Sequence, residues 1–181
     1  GSAAVRTLAV TAIGADRPGI VAAVTGVLVE RGGNLEDCSM SILRGEFAMV
    51  MIVGVPDGED PGALERALAD GTRTLGLAVS VRELPAVEAV ERTGPAWTVV
   101  VYGADRPGIV HAVASALAAL GVNIVDLTTR LTGSGPGVYT MVLEAVLPAG
   151  LDPDVLAARV EQAAGGMDVE VSLHPSDADV L

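Results

Sequence analysis

The sequence predicts an α+β chain built from two copies of one small β-α-β-β-α-β module. Three observations carry this expectation. The octapeptide Gly-Ala-Asp-Arg-Pro-Gly-Ile-Val stands unchanged at Gly14–Val21 and at Gly103–Val110, 89 residues apart in a chain of 181. The likeness extends further: residues 14–37 and 103–126 share 14 of 24 positions without a gap, among them Leu28/Leu117, Gly32/Gly121, Asn34/Asn123 and Asp37/Asp126. In each half, strand-like apolar runs and helically spaced apolar residues follow one another in the same order.

Val5–Ile13 is rich in β-branched and apolar residues and reads as the first strand. Arg17 precedes a proline and is pushed toward an extended conformation. Pro18 fits the first position of a helix, where its missing N–H costs nothing. Ile20, Val21, Val24, Val27 and Leu28 recur at helical spacing, and Gly32-Gly33 ends that helix. Asn34–Leu43 and Glu46–Val55 read as strands joined by a tight hairpin at Arg44-Gly45. The apolar run Phe47–Val53 places the second of them inside the sheet. Asp57–Pro61 leads into a second helix with Leu64, Leu68 and Leu75 on its buried side, and Leu77–Leu84 is the fourth strand.

The second half repeats the order as Trp97–Tyr102, Pro107–Leu120, Asn123–Leu131, Val138–Leu147, Pro153–Ala164 and Met167–Leu173. Its hairpin is three residues longer, with the extra length in 132–137, where insertion is cheap. The arrangement is the split pattern of ferredoxin-like folds, with antiparallel sheets and helices on one face. The expected division is a first domain at 1–84, a charged, proline-bounded linker at 85–95, a second domain at 96–174 and a tail at 175–181.

Composition narrows the function. Half of the residues are hydrophobic but only 2% are aromatic, so Val, Leu, Ile and Ala must build the cores. Modules of this size are marginal alone, which predicts packing on each other or in a homodimer. The net charge is −12, from eleven Arg without any Lys against 23 acids. That balance argues against direct nucleic-acid binding, which needs a basic face. The missing Lys excludes Schiff-base chemistry. Cys38, His111 and His174 are too few for a Cys-rich or multi-histidine metal site. The longest apolar stretch, Ile109–Val125, is broken by His111, Ser115 and Asn123, so no membrane span is expected and a cytoplasmic location follows.

The repeated loop has two readings. In the structural one, Asp16 or Asp105 satisfies loop N–H groups, proline starts the helix and glycine permits a close turn. In the other it is a small-anion site. A helix start presents unpaired N–H groups and partial positive charge, and glycine lets a carboxylate approach the backbone. Asn34 and Asn123, expected at the same end of the sheet as the loop, would hold an amino acid's ammonium group. His111 reads as a partly buried or surface histidine, with a ligand-sensing group near the loop as the alternative, and Cys38 as an apolar strand residue rather than a reactive thiol. Trp97 and Tyr102 read as packing residues, and Glu59, Asp60 and Glu65 as a solvated face and a favourable helix N-terminus. Catalysis has little support, because neither a nucleophile nor a metal cluster accompanies the paired Asp and Arg.

The loop Asp-Arg-Pro-Gly-Ile-Val, the helix after it, Gly-x-Asn-Ile/Leu and then x-Asp resemble the ACT domain, and they do so in both halves. A chain of two such modules is similar to the glycine cleavage system transcriptional repressor family. The resemblance implies a non-enzymatic regulator without a cofactor. It implies a small amino acid effector, glycine or serine first, held between two modules, and action through a protein partner. It places the ligand-binding residues at Ala15, Asp16, Arg17, Pro18, Gly19 and Ile20 with Asn34 and Leu35. In the second copy they are Ala104, Asp105, Arg106, Pro107, Gly108 and Ile109 with Asn123 and Ile124. The alternative is a purely structural assembly module. The copies differ at Ala22 versus His111 and at the hairpin, so the two sites need not be equivalent.

Overall fold

The computed structural model describes residues 5–85, 94–133 and 137–176. The chain divides into two compact units, Gly1–Ala89 and Val90–Leu181. In the first, β1 (Val5–Ala15), α1 (Ile20–Glu30), β2 (Asn34–Leu43), β3 (Glu46–Pro56), α2 (Pro61–Gly71) and β4 (Ala78–Glu83) follow one another. In the second, β5 (Ala96–Ala104), α3 (Ile109–Ala119), β6 (Asn123–Thr132), β7 (Val138–Val146), α4 (Pro153–Ala164) and β8 (Val169–Pro175) repeat the order. The sheets are ordered β2-β3-β1-β4 and β6-β7-β5-β8. Every adjacent pair is antiparallel.

The alternation of strand residues explains the layering. Phe47, Met49, Met51 and Val53 of β3 point to one face and are buried under Ile20, Val24 and Leu28 of α1 and Leu64 and Leu68 of α2. The intervening Val50 faces the other way and is half exposed, as is Ile13 on β1. The second module packs Val99, Met141 and Leu143 under Ile109, Val113 and Leu117 of α3 and Leu156 of α4 in the same manner. The run Phe47–Val53 is internal, as its hydrophobicity predicts, while β2 and β6 are edge strands.

Turn chemistry fixes the ends. Arg44 and Gly45 both have positive φ, 50° and 82°, the primed hairpin turn that matches strand twist. After α1, the Gly32 N–H donates to the Val29 carbonyl at 3.0 Å and the Gly33 N–H to the Leu28 carbonyl at 2.7 Å. Gly32 has φ 72°, which completes a Schellman stop. Gly121 repeats it with φ 69°, and its follower is Val122, so only the first glycine of the pair is required.

Several expectations need correction. Helices α1 and α3 begin at Ile20 and Ile109, two residues after the prolines, which lie in a turn outside the helix. Leu75 is not on α2 but in a 3₁₀ turn, Arg73–Leu75, from which it still packs on the core. Strand β8 runs Val169–Pro175, later than the expected Met167–Leu173, and the Ser176 N–H donates to the Ala96 carbonyl at 2.9 Å. The proposed linker falls mostly on 86–93, and most of the hairpin insertion on 134–136, outside the described residues.

Candidate functional site

At the end of β1, Asp16 and Arg17 leave the sheet as exposed residues. The Asp16 N–H donates to the Gly45 carbonyl of the neighbouring hairpin at 2.7 Å. Gly19 then adopts φ 95° as the residue before α1, and Gly108 adopts φ 93° before α3. An L-residue pays roughly 1–2 kcal/mol for that left-handed conformation, which accounts for glycine in both copies. Space is not the reason: a Cβ on either glycine would meet nothing within 4 Å. The backbone at the helix start is therefore open to approach.

Helices α1 to α4 start in two different ways. Asp60 accepts from the Ala63 N–H at 2.8 Å at the head of α2, and Asp152 accepts from the Asp154 N–H at 2.9 Å at the head of α4. Each is followed by proline in the first turn. Helices α1 and α3 have no side-chain cap and no acid in the first turn. Among the described residues, the Asp16 and Asp105 side chains accept no hydrogen bond, so they do not satisfy the loop as the structural reading expected. The first-turn N–H groups of α1 and α3 thus keep their partial positive charge available.

The asparagines are not beside these loops. Asn34 pairs with Gly54, and Gly54 with Thr7, near the start of β1. The loop follows Ala15, at the other end of that strand. Eight residues separate Thr7 from Ala15, roughly 26 Å at about 3.3 Å per residue. Asn123 lies opposite Val146 and hence level with Ala96, equally far from the end of β5 at Ala104. The expectation of one shared end is wrong for a physical reason. The helix carries the chain back along the sheet, so β2 starts where β1 starts. Leu35 and Ile124, next to the asparagines, lie at that same far end.

In the second module the loop borders a cleft of about 680 Å³. Asp105, Arg106, Gly108, His111, Thr129 and Tyr139 are among its lining residues. His111 and Thr129 are exposed, whereas Tyr139 is only 9% exposed and its hydroxyl bonds to no protein group among the described residues. Burial, and then the Asp105 carboxylate, push the Tyr139 phenol above its ordinary value. Arg106 forms an ion pair with Asp168, which sits in a left-handed turn with φ 53° before β8. Thr129, Tyr139 and Asp168 escaped sequence reading. Tyr139 and Asp168 lie beyond the hairpin insertion, which breaks the constant 89-residue offset that would have aligned them.

Other residues settle into structural roles. Of Glu59, Asp60 and Glu65, Asp60 serves the helix N-terminus as expected, and the other two are tied down rather than simply solvated. Glu59 pairs with Arg31 at 2.8 Å, Asp60 caps α2, and Glu65 accepts from the Val81 N–H at 2.8 Å on the edge strand β4. Trp97 packs on the second core, but Tyr102 is half exposed on the open face of the sheet. Cys38 is a free, exposed thiol on the edge strand β2, not a packed apolar residue. No cluster of three or more His, Cys, Asp or Glu suited to a metal occurs among the described residues. No helix among them is long and apolar enough to cross a membrane.

Models of the ACT domain match residues 6–82 and again residues 97–162, one module each. This chain belongs to the ACT domain family. It carries two ACT domains in tandem, each with the β1–α1 or β5–α3 loop described above. The chain is 27% identical to the glycine cleavage system transcriptional repressor of Escherichia coli, over 93% of this chain and 87% of that protein. It is 43% identical to a UPF0237 protein of Methanopyrus kandleri over 84 residues, 46% of this chain and 93% of the relative. Among solved structures, an unknown protein from Galdieria sulphuraria superimposes with a TM-score of 0.78 and 28% identity, covering 96% of this chain and all of the other. The tandem ACT chain is thus a regulatory ACT-domain protein related to the glycine cleavage repressor.

Proposed function

We propose that this chain is a non-enzymatic regulator that binds a small amino acid, glycine or serine first, at its repeated loops and acts through a protein partner. The observation that carries the reading is the pair of uncapped helix starts behind Gly19 and Gly108, in modules whose other helices are both capped by aspartate. An effector carboxylate suits those N–H groups. The asparagines stand about one strand length from the loops of their own modules. A ligand touching both kinds of residue therefore takes the loop from one ACT domain and the asparagine from another. Binding would favour the arrangement that brings them together, and a partner would respond to that arrangement. The acidic charge favours a protein partner over nucleic acid. Calorimetry of the full chain against the twenty amino acids tests the reading, and silence at millimolar concentration for all of them rejects it.

A second reading, an assembly module without a ligand, draws on the edge strands. Leu35, Met40 and Ile42 of β2 and Leu127 and Leu131 of β6 are 41–51% exposed, which suits pairing with a second copy of the chain. Sedimentation with and without amino acid separates the readings: a homodimer that ignores every amino acid supports the second.

A further inference from the structure

The two ACT domains have the same backbone at the loop but different chemistry around it. Along the 89-residue offset, His111 stands where the first module has Ala22, and Thr129 where it has Met40. By strand register, Tyr139 lies opposite Gly103 as Phe47 lies opposite Gly14. Asp168, which holds Arg106, stands where the first module has Gly76. Each precedes the residue beside the first strand's glycine, and each has positive φ. Four positions around one loop are thus polar in the second module and apolar or bare in the first.

Tyr139 makes this difference more than a matter of composition. Its ring fills the site of Phe47, so packing does not require the hydroxyl. That hydroxyl is buried and has no partner among the described residues, in a side chain that lines the cleft. A buried polar group left unpaired costs about 1–3 kcal/mol. Phenylalanine at the equivalent position shows that the fold has an alternative free of that penalty. A ligand atom in the cleft would remove it.

We infer that the second ACT domain carries one polar amino-acid site per chain, and that Tyr139 is its specificity-determining residue, donating its hydroxyl hydrogen bond to a carboxylate or hydroxyl oxygen of the ligand. The inference rests on the amino-acid reading proposed above. In it the helix start behind Gly108 faces the ligand's carboxylate end, Asp105 balances its ammonium group, and Thr129 and His111 edge the cleft. The first module, with Ala22, Met40 and Phe47, offers none of these side-chain donors.

The test is calorimetry of the full chain with glycine and L-serine, on the wild type and on Tyr139→Phe, together with thermal melts of both without ligand. The expected result is one equivalent bound per chain, about tenfold weaker in Tyr139→Phe, with a ligand-free melting temperature no lower than wild type. Unchanged affinity in Tyr139→Phe overturns the inference at any stoichiometry. Two equal equivalents per chain overturn the single site yet leave the amino-acid reading standing. A clearly lower ligand-free melting temperature also overturns it, since it would show that the hydroxyl already has a partner within the protein. A wild type that binds neither probe nor any other amino acid removes the broader reading and this inference with it.

Discussion

Tyr139 and Phe47 occupy one register position in two copies of the same sheet, each opposite a glycine of the central first strand and each under the helix that follows it. They differ by one hydroxyl. The fold treats them alike, while the cleft beside the second copy does not.

That hydroxyl has a pH signature. The Tyr139 phenol is held above its ordinary value by burial and by Asp105. The unfolded chain loses this proton near pH 10, and the folded chain keeps it longer. The native state then binds more protons, so the associated stability is intact below about pH 10 and is lost as pH rises through the folded value. Urea midpoints of wild type should fall above pH 10 more steeply than those of Tyr139→Phe. Parallel curves would contradict the burial of this group.

The glycines of the central strands are not interchangeable. A Cβ on Gly103 would lie 2.4 Å from the Asp168 carbonyl oxygen and 2.7 Å from the Val169 Cα. Backbone cannot yield there without parting β5 from β8. A Cβ on Gly14 would first meet the Leu77 Cδ2 at 2.8 Å, the end of a side chain that can turn. Gly103→Ala is expected to cost about 3 kcal/mol or more and Gly14→Ala about 1 kcal/mol, read from denaturant midpoints. Equal losses would refute this account.

Gly19 and Gly108 present the opposite case, with open space and a positive φ. Gly19→Ala and Gly108→Ala should each lose about 1 kcal/mol through backbone strain alone. For modules of this size that is a fall of roughly 4–8 °C in melting temperature. A much larger loss would mean that the loop packs on something.

At the first module's far edge, Arg6 donates from Nε and Nη2 to the two oxygens of Glu83, at 3.0 and 2.6 Å. The hydrogen bond from Arg6 holds the Glu83 carboxyl below its usual range. A lowered folded value gives stability that is present above the unfolded value near 4.3 and lost as pH falls through the folded value. Wild type should therefore exceed Glu83→Gln in stability at neutral pH, with the gap closing in acid and shrinking in high salt.

Removing a capped helix start should behave unlike changing an uncapped one. Asp60→Ala and Asp152→Ala each remove an acceptor for a first-turn N–H and should lose about 1 kcal/mol. Neither should alter amino-acid binding, and titration of the variants checks both halves of that statement.

The duplication, the β-α-β-β-α-β order and most strand positions are legible in the chain of residues alone, because the 89-residue repeat and apolar periodicity are local signals. The same residues also mark the two loops, since a left-handed residue at an open helix start needs glycine and both copies have it. The helices start two residues beyond Pro18 and Pro107, because proline suits a turn as well as a first helical position. Tertiary structure alone decided where Asn34 and Asn123 stand. The helix after the first strand returns the chain along its sheet, so the loop and the asparagine that follows the helix sit at opposite ends of a strand. It also gathered Asp105, His111, Thr129, Tyr139 and Arg106 with its partner Asp168 around one loop. These residues come from the loop, from α3, from two strands and from the turn before β8, and their meeting depends on strand register across a hairpin whose length differs between the copies.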